Sequence, residues 1–310
     1  VSNFRENLLN ESQAELIKDL APEINGVLKT RRGFHRFANL LGSTSSSTNV
    51  QTLHFFDSDS RERLIAAVNG SLYEIESNGT VTAISAVAGS LDPASTPAYM
   101  CQIADKMYWS SDSSSNKIFE LKYSGGAWVK TVSTDTTYPA DAKYLIANSG
   151  RVFAYDPSGN QIFVSTILPD LASTSTLFTT GGTTINPFKV GTGAETVTGM
   201  YSWVGTNVVV FCESSVYVVD TNPLTAATAS AGNATSTFTI RQVSNKSGAI
   251  SHRAVAQVGE DLLYLSRDGV RSLKRTMAEE MVADTAGVIS YPIQDLIDRI
   301  NWSAAVQKAA

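Results

Sequence analysis

The chain of 310 residues carries 24 basic against 29 acidic side chains, for a net charge of −5, and only 17% of its residues are charged. This acidic balance removes the electrostatic footprint of a protein that grips nucleic acid through its phosphates, and it argues against attachment to an anionic membrane surface. Its longest apolar runs, such as Val208 to Cys212 and Val216 to Val219, are strand-sized and far short of the roughly 20 residues a spanning helix needs, so no membrane insertion is expected.

Abundant Ser, Thr, Gly and Val with few charges favour short strands joined by polar turns, an all-β composition. Residues 1–48 read as an N-terminal arm and linker. The stretch Val1 to Asn10 is charged and lacks an apolar signal-peptide core, which favours assembly in the cytoplasm. The arm, Glu6 to Phe37, is expected to hold a short helix around Ser12 to Leu20 and to end in the basic turn Lys29-Thr30-Arg31-Arg32-Gly33-Phe34. The Ser/Thr-rich linker Gly42 to Thr48 follows.

Across 49–276 one pattern recurs: an apolar strand, a tight turn, a second strand ending near an aromatic, a turn, and a further strand. The first copy runs Arg63 to Val68, Ser71 to Ile75 and Thr80 to Ile84, with turns at Asn69-Gly70 and Asn78-Gly79. The second is Tyr99 to Ile103, Met107 to Trp109, Lys117 to Leu121 and, past Gly125-Gly126, Ala127 to Val129; the third is Lys143 to Ala147, Arg151 to Tyr155 and Gln161 to Val164. The fourth is Thr198 to Val204, Val208 to Cys212, Ser215 to Val219 and Thr237 to Gln242, and the fifth is Ala254 to Val258, Asp261 to Leu265 and Val270 to Leu273. A spacing of roughly 35 to 55 residues is that of a propeller blade with variable loops. Period-two alternation predicts that Ile65, Ala67, Ile103, Leu145, Val152, Phe163, Val209, Phe211, Val218, Leu263 and Leu265 are buried between sheets. Residues 277–310 form a C-terminal helical segment in which Ile293, Leu296, Ile297 and Ile300 share one side at helical spacing. The Ala-rich end shows no stop signal, so a longer natural polypeptide is expected.

Motifs that carry chemistry are sparse. Gly191-Thr192-Gly193 meets Thr196 where a dinucleotide fingerprint needs a third glycine, and Asp57-Ser58-Asp59-Ser60-Arg61 has Glu62 and Val68 where a calcium loop needs Gly and Glu. His35, His54 and His252 stand far apart, with no nucleophile motif beside them, and Cys101 and Cys212 sit in apolar runs as buried, reduced thiols. No enzymatic activity, metal or cofactor is expected.

The turn Arg31-Arg32-Gly33-Phe34, the stretch Tyr144-Leu145-Ile146-Ala147-Asn148-Ser149-Gly150-Arg151-Val152-Phe153, the run Val209-Val210-Phe211 with Glu213 to Tyr217, and Leu263 to Ser266 with Asp268-Gly269-Val270 together resemble the tail hub and nozzle (tail tubular B-like) proteins of short-tailed bacteriophages. The resemblance implies a structural virion protein of the tail, in a closed and probably hexameric ring below the portal and adaptor proteins, near tail fibres or spikes. Genomic DNA would pass through on ejection without specific binding, along an acidic wall that phosphate does not stick to. The two segments outside the blade pattern then supply candidate interfaces: Arg31 and Arg32, whose guanidinium forks suit a neighbour's carboxylates, and Ile293, Leu296, Ile297 and Ile300. Two alternatives stand beside this reading. One is a glycan-binding propeller for host recognition that stacks sugars on Tyr108, Trp109, Trp128 or Trp203, residues that otherwise fill the space between blades; the other is a glycosidase, for which no carboxylate pair is evident.

Overall fold

Repetition of strand-sized apolar runs dictates a fold in which small sheets cover one another, because a single three- or four-stranded sheet cannot bury both its faces. The computed structural model describes residues 20–22, 28–30, 50–59, 61–88, 91–92, 97–110, 117–134, 139, 142–171, 177–180, 183–184, 187–191, 194–221, 238–279 and 288–302. A short antiparallel pair comes first, β1 (Leu20–Pro22) and β2 (Leu28–Thr30), so Leu20 opens a strand where the sequence placed a helix end. The rest of the expected helix, the basic turn and the Ser/Thr linker lie outside the described residues.

Five antiparallel meanders then follow in chain order. Blade 1 is β3 (Val50–Ser58), β4 (Arg61–Val68), β5 (Ser71–Ile75) and β6 (Val81–Ala83). Blade 2 is β7 (Tyr99–Ile103), β8 (Lys106–Ser110), β9 (Phe119–Ser124) and β10 (Ala127–Val132). Blade 3 is β11 (Lys143–Asn148), β12 (Arg151–Asp156) and β13 (Gln161–Val164), followed by a minimal hairpin, β14 (Thr179–Thr180) with β15 (Thr183–Thr184). Blade 4 is β16 (Val197–Ser202), β17 (Asn207–Cys212), β18 (Val216–Asp220) and β19 (Thr239–Ser244); blade 5 is β20 (Val255–Val258), β21 (Asp261–Ser266) and β22 (Gly269–Ser272). The chain is a β-propeller.

Turn chemistry sets the registers. Asn69 and Gly70 both have positive φ, 48° and 81°, which the two-residue turn between Val68 and Ser71 requires for its twist to match the strands. Gly125 and Gly126, at 61° and 83°, make the same turn between β9 and β10.

Apolar clusters join each blade to the next. Phe56, Ile65 and Leu72 of blade 1 pack on Met107, Trp109 and Phe119 of blade 2, and Tyr108 and Ile118 of blade 2 pack on Val152, Ala154 and Phe163 of blade 3. Phe153, Tyr155 and Val164 of blade 3 meet Met200, Val208 and Val210 of blade 4, and Val209, Phe211 and Val216 of blade 4 meet Leu262 and Tyr264 of blade 5. Polar staples reinforce two of these seams. Buried Glu74 accepts Arg61 Nε at 2.8 Å and Trp128 Nε1 at 2.8 Å, while Arg63 Nε lies equally close but off the hydrogen-bond axis. Asn148 Nδ2 donates to Ser202 Oγ at 2.9 Å and the Thr221 hydroxyl donates to Asn148 Oδ1 at 3.1 Å, tying blade 3 to blade 4.

Blades 5 and 1 are joined differently. Among the described residues no apolar cluster spans them; the link is Arg253, which donates to the Gln51 carbonyl at 2.6 Å. The face of blade 1 turned away from blade 2 gathers Leu64, Ala66, Val68, Tyr73, Ile75 and Val81 into a separate cluster. On blade 5 the buried phase of β21 is Leu262, Tyr264 and Ser266. Leu263 and Leu265, predicted to be buried, are half-exposed because they point to this flank, and Ile103 is likewise only half-buried at the tip of β7. The other eight predicted core residues are buried.

The C-terminal segment departs from expectation. A helix α1 (Leu273–Glu279) runs directly on from β22 and seats Leu273 and Met277 against the blade 4–5 cluster. The predicted helix over Ile293 to Ile300 is reduced to a 3-10 turn and one α turn, α2 (Gln294–Ile297), whose N-cap Ile293 has no side-chain cap. A helix that short cannot repeat an apolar stripe.

Gly248 is fixed by contact: an added Cβ would stand 1.9 Å from the Cys212 carbonyl oxygen and 2.8 Å from that of Ser215. Gly248→Ala is therefore expected to cost about 1–3 kcal/mol by overpacking, read as a lower urea midpoint at unchanged slope. Val258→Ala, at an exposed position, is expected to leave the midpoint unchanged.

Candidate functional site

The innermost strands of all five blades bring their side chains to one axis, where they enclose a cavity of about 300 Å³. Thr52 and Leu53 come from β3, Tyr99 and Met100 from β7, Leu145 from β11 and Tyr201 from β16; His252 and Arg253 come from the turn before β20. The fold makes this site by convergence, so its residues are spread over 200 positions of sequence.

Aromatic rings plug the axis below the mouth. The His252 imidazole lies between Tyr201 and Tyr144, with centroids 4.7 and 5.0 Å away and interplanar angles of 25° and 27°. Tyr99 meets it edge-on at 5.9 Å. Tyr144 reaches the axis because β11 shifts register between Lys143 and Ile146, and its φ is +50°, a region bulky side chains rarely occupy. The bulge re-aims the ring from the blade seam to the channel. Gly199 allows the close approach on the other side, since a Cβ there would stand 3.0 Å from the His252 Cα.

Electrostatically the plug is neutral and the mouth is cationic. Burial, with the Arg253 charge adjoining, holds the His252 imidazole down at about 4 against its ordinary 6.5, and its Nδ1 has no hydrogen-bond partner. The Tyr201 hydroxyl donates to the His252 carbonyl, and burial pushes its pKa up to about 12. Arg253 is the one charged residue among those lining the cavity. Among the described residues no group of His, Cys, Asp and Glu side chains could hold a metal ion.

Of the interface residues named from sequence, Arg31 and Arg32 lie outside the described residues. Ile293, Leu296, Ile297 and Ile300 do not share a buried or an exposed face: Ile297 is buried, Leu296 is 56% exposed, and Ile293 and Ile300 are half-buried. The aromatics weighed for sugar stacking fill the spaces between blades instead. Tyr108 and Trp109 are fully buried, Trp128 packs on Phe56 at 5.2 Å, and Trp203 packs on the blade 4–5 cluster. Both cysteines are buried and unpaired; burial raises both thiols, Cys212 to about 12. His54 bridges blades 1 and 2 through Gln102 at 3.1 Å.

The exposed apolar surface lies on the flank between blades 5 and 1. Leu53 and Phe55 on β3 are 55% and 57% exposed, and Val258 on β20 is 57% exposed. A shallow depression lined by Phe55, Leu64, Ile75 and the charged pair Glu62 and Arg63 adjoins them.

No family model matches the chain, and no curated protein matches it. Solved structures similar to it include PorZ, a bacterial surface component of the type-IX secretion system of Porphyromonas gingivalis, at 11% identity and TM-score 0.48, over 74% of this chain and 26% of that one. The chain thus spans about a quarter of PorZ. The β-propeller domain of Cps50 (Swd1) from Myceliophteria thermophila is similar at 11% identity and TM-score 0.46, covering 75% and 71% of the two chains. A putative 6-phosphogluconolactonase from Bacteroides uniformis is similar at 12% identity and TM-score 0.45, covering 82% and 72%. None of these three is a phage tail protein, and likenesses this distant bear on neither fold nor function; the propeller assignment rests on the sheets and seams above.

The His252 environment fixes a pH dependence. Because the folded-state pKa lies below the unfolded one, the unfolded chain binds the proton first as pH falls. The stability this group contributes is fully present above about 6.5 and is lost as pH falls to about 4, an effect of about 3 kcal/mol. His252→Phe, which keeps a ring between the tyrosines, is expected to remove that part of the slope in urea unfolding across this window.

Proposed function

We propose that this chain is a non-catalytic structural subunit of a closed ring in the tail of a short-tailed phage, of the hub or nozzle kind. The observation that carries this reading is the flank between blades 5 and 1. Four seams of the propeller are closed by apolar clusters, while this one leaves Leu53, Phe55 and Val258 open and Leu263 and Leu265 half-open. Large apolar side chains grouped on one face mark an interaction surface. In a ring each subunit offers such a face to its neighbour through the same rotation, so one contact recurs until the circle closes.

The aromatic plug supports the same reading. Tyr144, His252 and Tyr201 stack across the axis of the propeller, so a genome conduit would run between subunits and not along the propeller's own channel. The ring, its hexameric order, the portal, adaptor and fibre neighbours and the virion location come from the resemblance in sequence. A second reading, ligand binding, no longer rests on the four aromatics weighed for it; the cavity at the channel mouth favours it.

Light scattering and electron microscopy of the purified chain test the proposal. Closed rings are expected, and Phe55→Asp, which alters an exposed residue, is expected to yield folded monomers. A parent chain that stays monomeric up to about 100 μM, or a variant that assembles as well as the parent, overturns it. Duplex DNA is expected to bind weakly, with Kd above about 10 μM near physiological salt and falling affinity as salt rises. Sub-micromolar, sequence-selective binding in an anisotropy titration would contradict a conduit wall.

A further inference from the structure

The mouth of the channel presents one guanidinium over an apolar floor. Arg253 uses one N–H on the Gln51 carbonyl. No described carboxylate pairs with it, and its remaining side-chain N–H groups face a cavity of about 300 Å³ walled by Leu53, Met100, Leu145 and the rings of Tyr99 and Tyr201. A guanidinium has five donors in a planar fork that matches a carboxylate edge. In a chain of net charge −5, an arginine left without an acid at the meeting point of five blades is a feature that folding alone does not require. The volume is at the lower limit of small-molecule sites, which combine apolar walls with a few convergent polar groups.

We propose that this mouth is a binding subsite for a small organic monocarboxylate with a short apolar chain, the carboxylate held by Arg253 and the chain lying against Leu53, Met100 and Leu145. The single cation sets the charge: one guanidinium balances one carboxylate, whereas a phosphate dianion would keep a negative charge beside apolar walls with nothing to pair it. The aromatic plug closes the site below, limiting the chain to a few carbons. The subsite is independent of the ring, because its walls come from inner strands and not from the outer part of the flank around Phe55.

Hexanoate is the probe, with hexan-1-ol as its neutral counterpart and inorganic phosphate as the bare anion, titrated into the full chain by calorimetry and ligand-observed NMR. Saturable one-site binding of hexanoate with Kd on the order of 1 mM is expected, with hexan-1-ol and phosphate at least about tenfold weaker. Arg253→Gln is expected to weaken hexanoate about tenfold or more. Since Arg253 also links blade 5 to blade 1, Leu53→Glu provides a second test: it changes an exposed side chain, leaves the Gln51 contact in place and sets a competing carboxylate at the mouth. It is expected to abolish hexanoate binding at an unchanged melting temperature. Phe55→Asp is expected to bind hexanoate as the parent does, whether or not rings form. Absence of saturation by hexanoate, equal binding of hexan-1-ol or phosphate, or binding unaffected by Leu53→Glu would each overturn the subsite.

Discussion

Burial of both faces of small sheets is the constraint from which the rest of this molecule follows. Strands β12, β17 and β18 are apolar or buried along nearly their whole length, which is tolerable only when another sheet lies on either side. Each seam draws from alternate residues of the same strand: Val208 and Val210 face blade 3, whereas Val209 and Phe211 face blade 5. A meander so built has no stable existence alone, and its neighbours fix its register as firmly as its own turns do. The angular arrangement that satisfies every blade also brings five inner strands to a common axis, so the plug and the mouth are consequences of seam packing.

The same constraint explains why the 5–1 flank matters. Here the repeat runs out, and the chain substitutes a single polar link from Arg253 to the Gln51 carbonyl for an apolar seam. The exposed Leu53, Phe55 and Val258 are the residues that a sixth packing partner would cover. Arg253 thus stands at a junction of architecture and chemistry: it ties the ends of the repeat together and carries the charge of the channel mouth.

Much of the architecture was legible because local signals agree with the global fold. Asn69-Gly70 and Gly125-Gly126 announced hairpins, and the apolar runs between them located the strands to within one or two residues. What failed did so for identifiable reasons. Leu262 to Leu265 is apolar at three of four positions with Tyr at the other, so sequence alone could not tell which phase faces blade 4; the structure buries Leu262 and Tyr264. The terminal stripe Ile293 to Ile300 has helical spacing but no cap, and it forms a single turn. The central site was invisible because no motif joins Leu53, Tyr99, Tyr144, Tyr201 and Arg253. One signal was present: Tyr144 interrupts the expected alternation of β11, and a bulge there turns its ring onto the axis.

A density map of the assembled particle at side-chain resolution tests the central claim most directly, because it locates the contact between neighbouring copies. The account predicts that the flank between blades 5 and 1, with Phe55 and Val258, lies buried against the adjacent subunit and that the aromatic plug stays closed. A map in which subunits meet through other surfaces, with Phe55 and Val258 in solvent, would contradict it.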